Sequence, residues 1–137
     1  MRKLSWLFAA AVAGATGGCD RAPAFPQPPA SEYTAARFEL SANSKADTVQ
    51  GATVTQEFLR VSGVRAILGR LFIPGDFAPA GPQTAILSQT LWQRRFGGDP
   101  TIIGKPIRLN GQDAIVIGIT PREFAIPPGA ELWIARR

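Results

Sequence analysis

The chain has 137 residues, 45% hydrophobic and 18% charged, a balance that fits one globular domain with short appendages and excludes a long disordered tail. Its 15 Lys and Arg exceed its 10 Asp and Glu. The arginines are scattered as Arg60, Arg65, Arg70, Arg94, Arg95, Arg108 and Arg122 rather than gathered into a basic stripe, so no nucleic-acid partner is expected. Histidine is absent and cysteine occurs once, at Cys19, which removes the commonest general base, a thiolate zinc cluster and any disulfide framework.

The N-terminus reads as a targeting segment over residues 1–18. Arg2-Lys3 supply a positive start, Leu4 to Ala13 an apolar stretch, and Ala15-Thr16-Gly17-Gly18 a small-residue tract before Cys19. The apolar stretch is short for a membrane span, which takes about 20 residues. It resembles a bacterial lipoprotein signal peptide, with Cys19 as the lipidation site, although Thr16 stands where such signals usually carry Leu. Ordinary cleavage, giving a secreted or periplasmic protein, and an uncleaved anchor are the alternatives. If Cys19 is lipidated, Asp20 resembles the signal that retains lipoproteins at the inner membrane, on its periplasmic side. Residues 19–31, with Pro23, Pro26, Pro28 and Pro29, read as a semi-rigid spacer.

Residues 32–137 carry the domain. Ala35 to Ala42, with Phe38 and Leu40 two apart, predicts a strand, followed by a polar loop from Asn43 to Gln50 and a second short strand from Ala52 to Thr55. A short helix is expected from Thr55 to Val61, with Thr55 as cap and Phe58, Leu59 and Val61 as its apolar positions. Glycines then punctuate the chain, and Arg70-Leu71-Phe72 leads into a Pro/Gly/Ala loop from Pro74 to Pro82.

The most strongly specified stretch is Thr84 to Thr120. Thr84 to Leu87 leans to β structure, and Ser88 stands at the N-cap of a helix of about two turns with Leu91, Trp92 and Phe96 on its buried side. Gly97-Gly98 and Pro100 stop it. Pro106 to Leu109 and Asp113 to Ile119 then flank Asn110-Gly111, the strongest short-range hairpin signal. A two-residue loop sets Arg108 opposite Asp113; a three-residue loop with a bulge sets Ile107 opposite Ile115. Consecutive Ile115-Val116-Ile117 predicts a strand covered on both faces, and Gly118 predicts close approach of another backbone. Phe124 and Ile126 should tuck inward from the loop Pro121 to Gly129, and Glu131 to Ala135 should close the chain as a strand. The sum is an α+β fold, a small mixed or antiparallel sheet with two short helices on one side.

Chemistry is sparse. The acidic residues are dispersed and no serine has a G-x-S-x-G setting, so no catalytic residue, cofactor-binding residue or metal ligand is assigned, and no cofactor is expected. Gly98 to Lys105 superficially suggests a phosphate loop, but it holds five residues between its glycines, and Pro106 follows the lysine where a hydroxyl is required.

A set of strings nonetheless carries a resemblance: Val54-Thr55-Gln56-Glu57-Phe58-Leu59, Leu68-Gly69-Arg70-Leu71-Phe72, Leu91-Trp92-Gln93-Arg94-Arg95-Phe96-Gly97-Gly98-Asp99-Pro100, Ile103-Gly104-Lys105, Leu109-Asn110-Gly111 and Ile117-Gly118-Ile119-Thr120-Pro121. Together they resemble the MacB-type periplasmic core domain of FtsX-like ABC transporter permeases, over roughly residues 50–134. The resemblance implies a porter-like half of that domain, not an enzyme, which contacts an ABC permease or other envelope protein or transmits motion mechanically. The chain departs from such permeases in having no membrane-spanning run after residue 19 and no nucleotide-binding domain, and it stops where the family domain continues. It therefore resembles part of the core domain behind a lipoprotein-like leader that tethers it to a membrane. The rival expectations are a small secreted ligand-binding or hydrolytic protein with a pocket near Arg70, Arg95 and Arg122, and a truncated remnant without activity.

Overall fold

The computed structural model describes residues 25–42 and 44–137, so Cys19 and the leader lie outside it, as does the first part of the spacer, residues 19–24. The element order is β1 (Tyr33–Ala42), β2 (Lys45–Val54), α1 (Gln56–Ser62), β3 (Leu68–Gly69), β4 (Gln83–Ser88), α2 (Gln89–Phe96), β5 (Pro106–Leu109), β6 (Gln112–Thr120) and β7 (Leu132–Ala135). The expected polar loop from Asn43 to Gln50 is mostly strand. β1 is ten residues long and β2 pairs with all of it, from Ala42 opposite Lys45 to Tyr33 opposite Val54. The polar residues of β2 stand largely outward while Val49 is buried, so composition suggested a loop where pairing and alternation made a strand.

The seven strands run in the order β3-β6-β4-β7-β2-β1-β5, and β5 also pairs with β6. The sheet therefore closes on itself. β6 is its central strand: it runs parallel to β4 along one edge, while its other edge takes β5 at Gln112 to Ile115 and β3 at Gly118 and Ile119. The β5–β6 hairpin has the two-residue loop, with Arg108 opposite Asp113 and Ile107 opposite Ala114. Asn110 and Gly111 both have positive φ, 53° and 83°, the geometry whose twist matches the flanking strands.

Closure divides the core in two. Phe38, Leu40, Val49, Ala85, Leu87, Ile107, Leu109, Ala114, Val116 and Leu132 pack together inside, with Leu91 of α2 fully buried against them and Trp92 and Phe96 at the margin. The alternate residues Ala52, Val54, Ile86, Ile117 and Trp133 face outward and are covered by Phe58 and Leu59 of α1 and by Phe124 and Ile126 of the 121–129 loop. The two helices thus pack against opposite faces of the sheet, not one side as expected. Successive strand residues point to opposite faces, and with both faces apolar each helix finds its own.

Local details follow the sequence with two exceptions, the Thr55 side chain and Val61. Ser88 caps α2, its hydroxyl accepting from the Leu91 amide at 3.1 Å, and Gly97 ends the helix at φ 63°. Thr55 precedes α1, but its hydroxyl makes no cap bond and instead donates to the Glu32 carboxylate. The buried face of α1 is Phe58, Leu59 and Ser62, and Val61 is 36% exposed. Gly118 meets another backbone as predicted: a Cβ there would overlap the Arg70 carbonyl oxygen, and one at Gly69 would overlap that of Ile117.

Candidate functional site

β3 and the chain after it are held to β6 by backbone bonds on either side of Gly118, Ile67 N–H to Ile119 O at 2.8 Å and Arg70 N–H to Ile117 O at 2.9 Å. Beyond this anchor the chain turns through Pro74–Phe77. The turn is fixed by Asp76, a buried carboxylate that accepts from the Ile73 amide at 2.8 Å and from Arg70 Nη1 at 2.9 Å. Burial works to raise the Asp76 carboxyl, but the hydrogen bonds from Arg70 and the Ile73 amide, with the guanidinium charge, outweigh it and hold the group below the ordinary carboxylate range.

The segment fixed in this way carries two exposed apolar side chains. Among the described residues the exposed large hydrophobic side chains are Val61, Ile67 and Ile73, the last two 47% and 50% exposed. Val61 lies on α1, and the two isoleucines lie on the chain that follows it. Between α1 and this chain runs a groove of about 390 Å³, lined by Leu59, Val64, Leu71 and Phe72, with Arg60 and Arg65 at its edge. Arg60 is paired with Glu57 at 2.7 Å, whereas Arg65 is exposed and makes no ion pair among the described residues. The sequence pattern did not single out Ile67 and Ile73, which stand between glycines with no helical or strand period around them.

The structure does not bring Arg70, Arg95 and Arg122 together. Arg70 binds Asp76. Arg95 Nη2 donates to the carbonyls of Ala42 and Lys45, at 3.3 and 3.2 Å, at the end of the β1–β2 hairpin. Arg122 donates to Gln93 Oε1 at 3.0 Å. Arg95 lines a groove of about 260 Å³ with Lys105 and Asp99, and Arg122 lines a separate one with Ser88 and Glu131. No described groove joins any two of the three. Among the described residues no group of three or more carboxylates and thiols is placed to hold a metal ion. The segment Gly98 to Lys105 is a helix stop and strand entry: Asp99 caps the turn Pro100–Ile102 through the Thr101 amide, and the Gly104 amide bonds Val116 O at 2.7 Å. No described helix is long and apolar enough to cross a membrane.

Comparison with known proteins agrees with this architecture. The model of the MacB-like periplasmic core domain matches residues 18–134. No curated protein matches the chain. Among solved structures, the extracellular domain of the noncanonic ABC-type transporter YknZ from Gram-positive bacteria is similar at 17% identity, with a TM-score of 0.64, over 76% of this chain and 52% of that one. The periplasmic region of MacB from Actinobacillus actinomycetemcomitans is similar at 19% identity, with a TM-score of 0.62, over 74% and 45%. The chain thus spans about half the length of the solved domains it matches. Identities this low speak to the fold, and the matched span of the family model speaks to descent: the chain belongs to the family of MacB-like periplasmic core domains.

Proposed function

We propose that this chain is a non-enzymatic interaction domain on the outer side of a membrane, tethered through Cys19 and the proline-rich spacer, and that it works by contacting an ABC permease or another envelope protein. The observation that carries the reading is the exposure of Val61, Ile67 and Ile73 on α1 and on the chain that follows it, the two elements that also line the apolar groove. A segment so exposed, yet pinned to the central strand and braced by Asp76, presents apolar area without the entropy cost of ordering a loop on contact. Its edge carries Arg65 in place of a catalytic group. Family membership supports a partner of this class, and the dispersed carboxylates and lack of histidine agree with a role in contact.

The test is co-purification. The tagged full chain, expressed in a bacterial host and extracted from its membranes in mild detergent, is expected to bring down an ABC permease component. The double variant Ile67→Asp, Ile73→Asp is expected to lose at least about tenfold of that recovery, given the cost of opposing charges to an apolar partner. Wild-type chain recovered without any transporter component, or unprocessed from the cytosol, contradicts the proposal.

A further inference from the structure

Among the described residues, the closed sheet leaves one long edge open. β1 has ten residues and β5 only four, and β5 pairs with β1 only at Leu40 and Ser41 before the chain turns at Asn110-Gly111. The turn itself adds one more rung: Glu39 N–H donates to Asn110 Oδ1 at 2.9 Å, and Asn110 N–H donates to Glu39 O at 3.0 Å. Tyr33 to Phe38 extend past the end of that partner. On the other side, Glu32 O accepts from Thr55 N–H at 2.9 Å in the register that β1 keeps with β2. Even-numbered residues of β1 therefore turn their backbone groups to β2, and odd-numbered ones turn theirs outward. The Tyr33 amide is used by Ala30 O. That leaves the Tyr33 carbonyl and both backbone groups of Ala35 and Arg37 pointing off the sheet, with no partner among the described residues.

We propose that this edge pairs with the same edge of a second copy of the chain, antiparallel about a twofold axis at Ala35. Self-complementarity selects both the occupant and the register. Centred at Ala35, the pairing sets Ala35 opposite Ala35 and Arg37 opposite Tyr33 of the other copy, and every unused group within that span finds a mate except the Arg37 carbonyl, which stays open to water because Ala30 O holds the facing Tyr33 amide. Each Ala35 exchanges N–H and C=O with its counterpart, and each Arg37 N–H donates to the other copy's Tyr33 carbonyl, making four backbone bonds. Centring at Arg37 opposes two like charges, and centring at Ala36 calls on Glu39, whose groups Asn110 already holds. The favoured register also lays each guanidinium by the Tyr33 ring, a cation–π partner; that ring is itself braced edge-on against Phe58 at 5.3 Å. Beside the edge, Ala35, Arg37, Gln50 and Pro127 line an outer groove of about 290 Å³ that receives side chains of the added strand. An edge of five residues is small against a standard interface of roughly 1,600 Å², so the dimer is weak and reversible. The inference is independent of any permease contact.

The test is sedimentation equilibrium of the full chain in detergent over a concentration series. Wild type is expected to show a monomer–dimer equilibrium. Ala35→Pro removes an outward N–H without touching the β1–β2 ladder, and Ala35→Glu places two carboxylates at the axis on an exposed position. Each is expected to weaken dimerisation at least about tenfold, with an unchanged circular dichroism spectrum. Arg65→Glu, on the apolar groove, is expected to leave dimerisation unaltered. A wild-type chain that stays monomeric throughout overturns the proposal, as does a folded Ala35→Glu that dimerises like wild type.

Discussion

Gly118 and Gly69 face each other where β3 crosses the end of β6, and each leaves room for the other's backbone. Any side chain at either must move main chain, not a flexible neighbour, so Gly118→Ala and Gly69→Ala are expected to destabilise the fold by about 2 kcal/mol or more. Gly75 is the contrast: a Cβ there meets nothing within 4 Å and its φ is not positive. Gly75→Ala is therefore expected to change stability by less than about 0.5 kcal/mol. Urea unfolding of the three variants measures the difference, and equal effects would contradict the close approach. Gly118 was legible in the sequence because a glycine inside an otherwise apolar strand marks a bulge or a place where another backbone comes close. Gly69 was not singled out, since its strand is two residues long and set only by what it lies against.

At the scale of elements, the Pro74–Phe77 turn depends on one carboxylate. Asp76 joins the Ile73 amide and Arg70, so it ties the turn back to the strand end that β6 holds. Its folded-state pKa lies below the unfolded value, so its contribution is complete above the ordinary carboxylate pKa near 3.9 and is lost as pH falls through the lower folded value. Thermal unfolding from neutral to acidic pH is expected to show a smaller acid-induced drop in Asp76→Asn than in wild type, from a lower neutral-pH starting point. Parallel pH profiles would contradict this. Local chemistry made some elements readable: Ser88 as a cap, Gly97 as a stop and Asn110-Gly111 as a two-residue turn each act within a few residues. β2 was half missed because its first residues are polar and owe their strand state to the length of β1. Thr55 stands at the N-cap position as expected, but its hydroxyl makes no cap bond because Glu32, distant in sequence, takes it.

For the whole molecule, the consecutive apolar residues Ile115-Val116-Ile117 of β6 declared two buried faces, and closure of the sheet is what turned them into separate inner and outer cores. Closure was invisible in the sequence, since β5 pairing with both β1 and β6 is a long-range outcome no local pattern encodes. The apolar surface was missed for a related reason: Ile67 and Ile73 look like core residues until the fold leaves them outside. That surface is where the account stands most exposed. The most direct measurement places a photo-crosslinking amino acid at Ile73, and in a separate variant at Thr48, which is exposed and outside the apolar segment, in the full chain within intact cells. The account predicts a discrete crosslink from position 73 to an ABC permease component, with none from position 48. Crosslinks of equal yield from both positions, or none to any membrane protein, would contradict it.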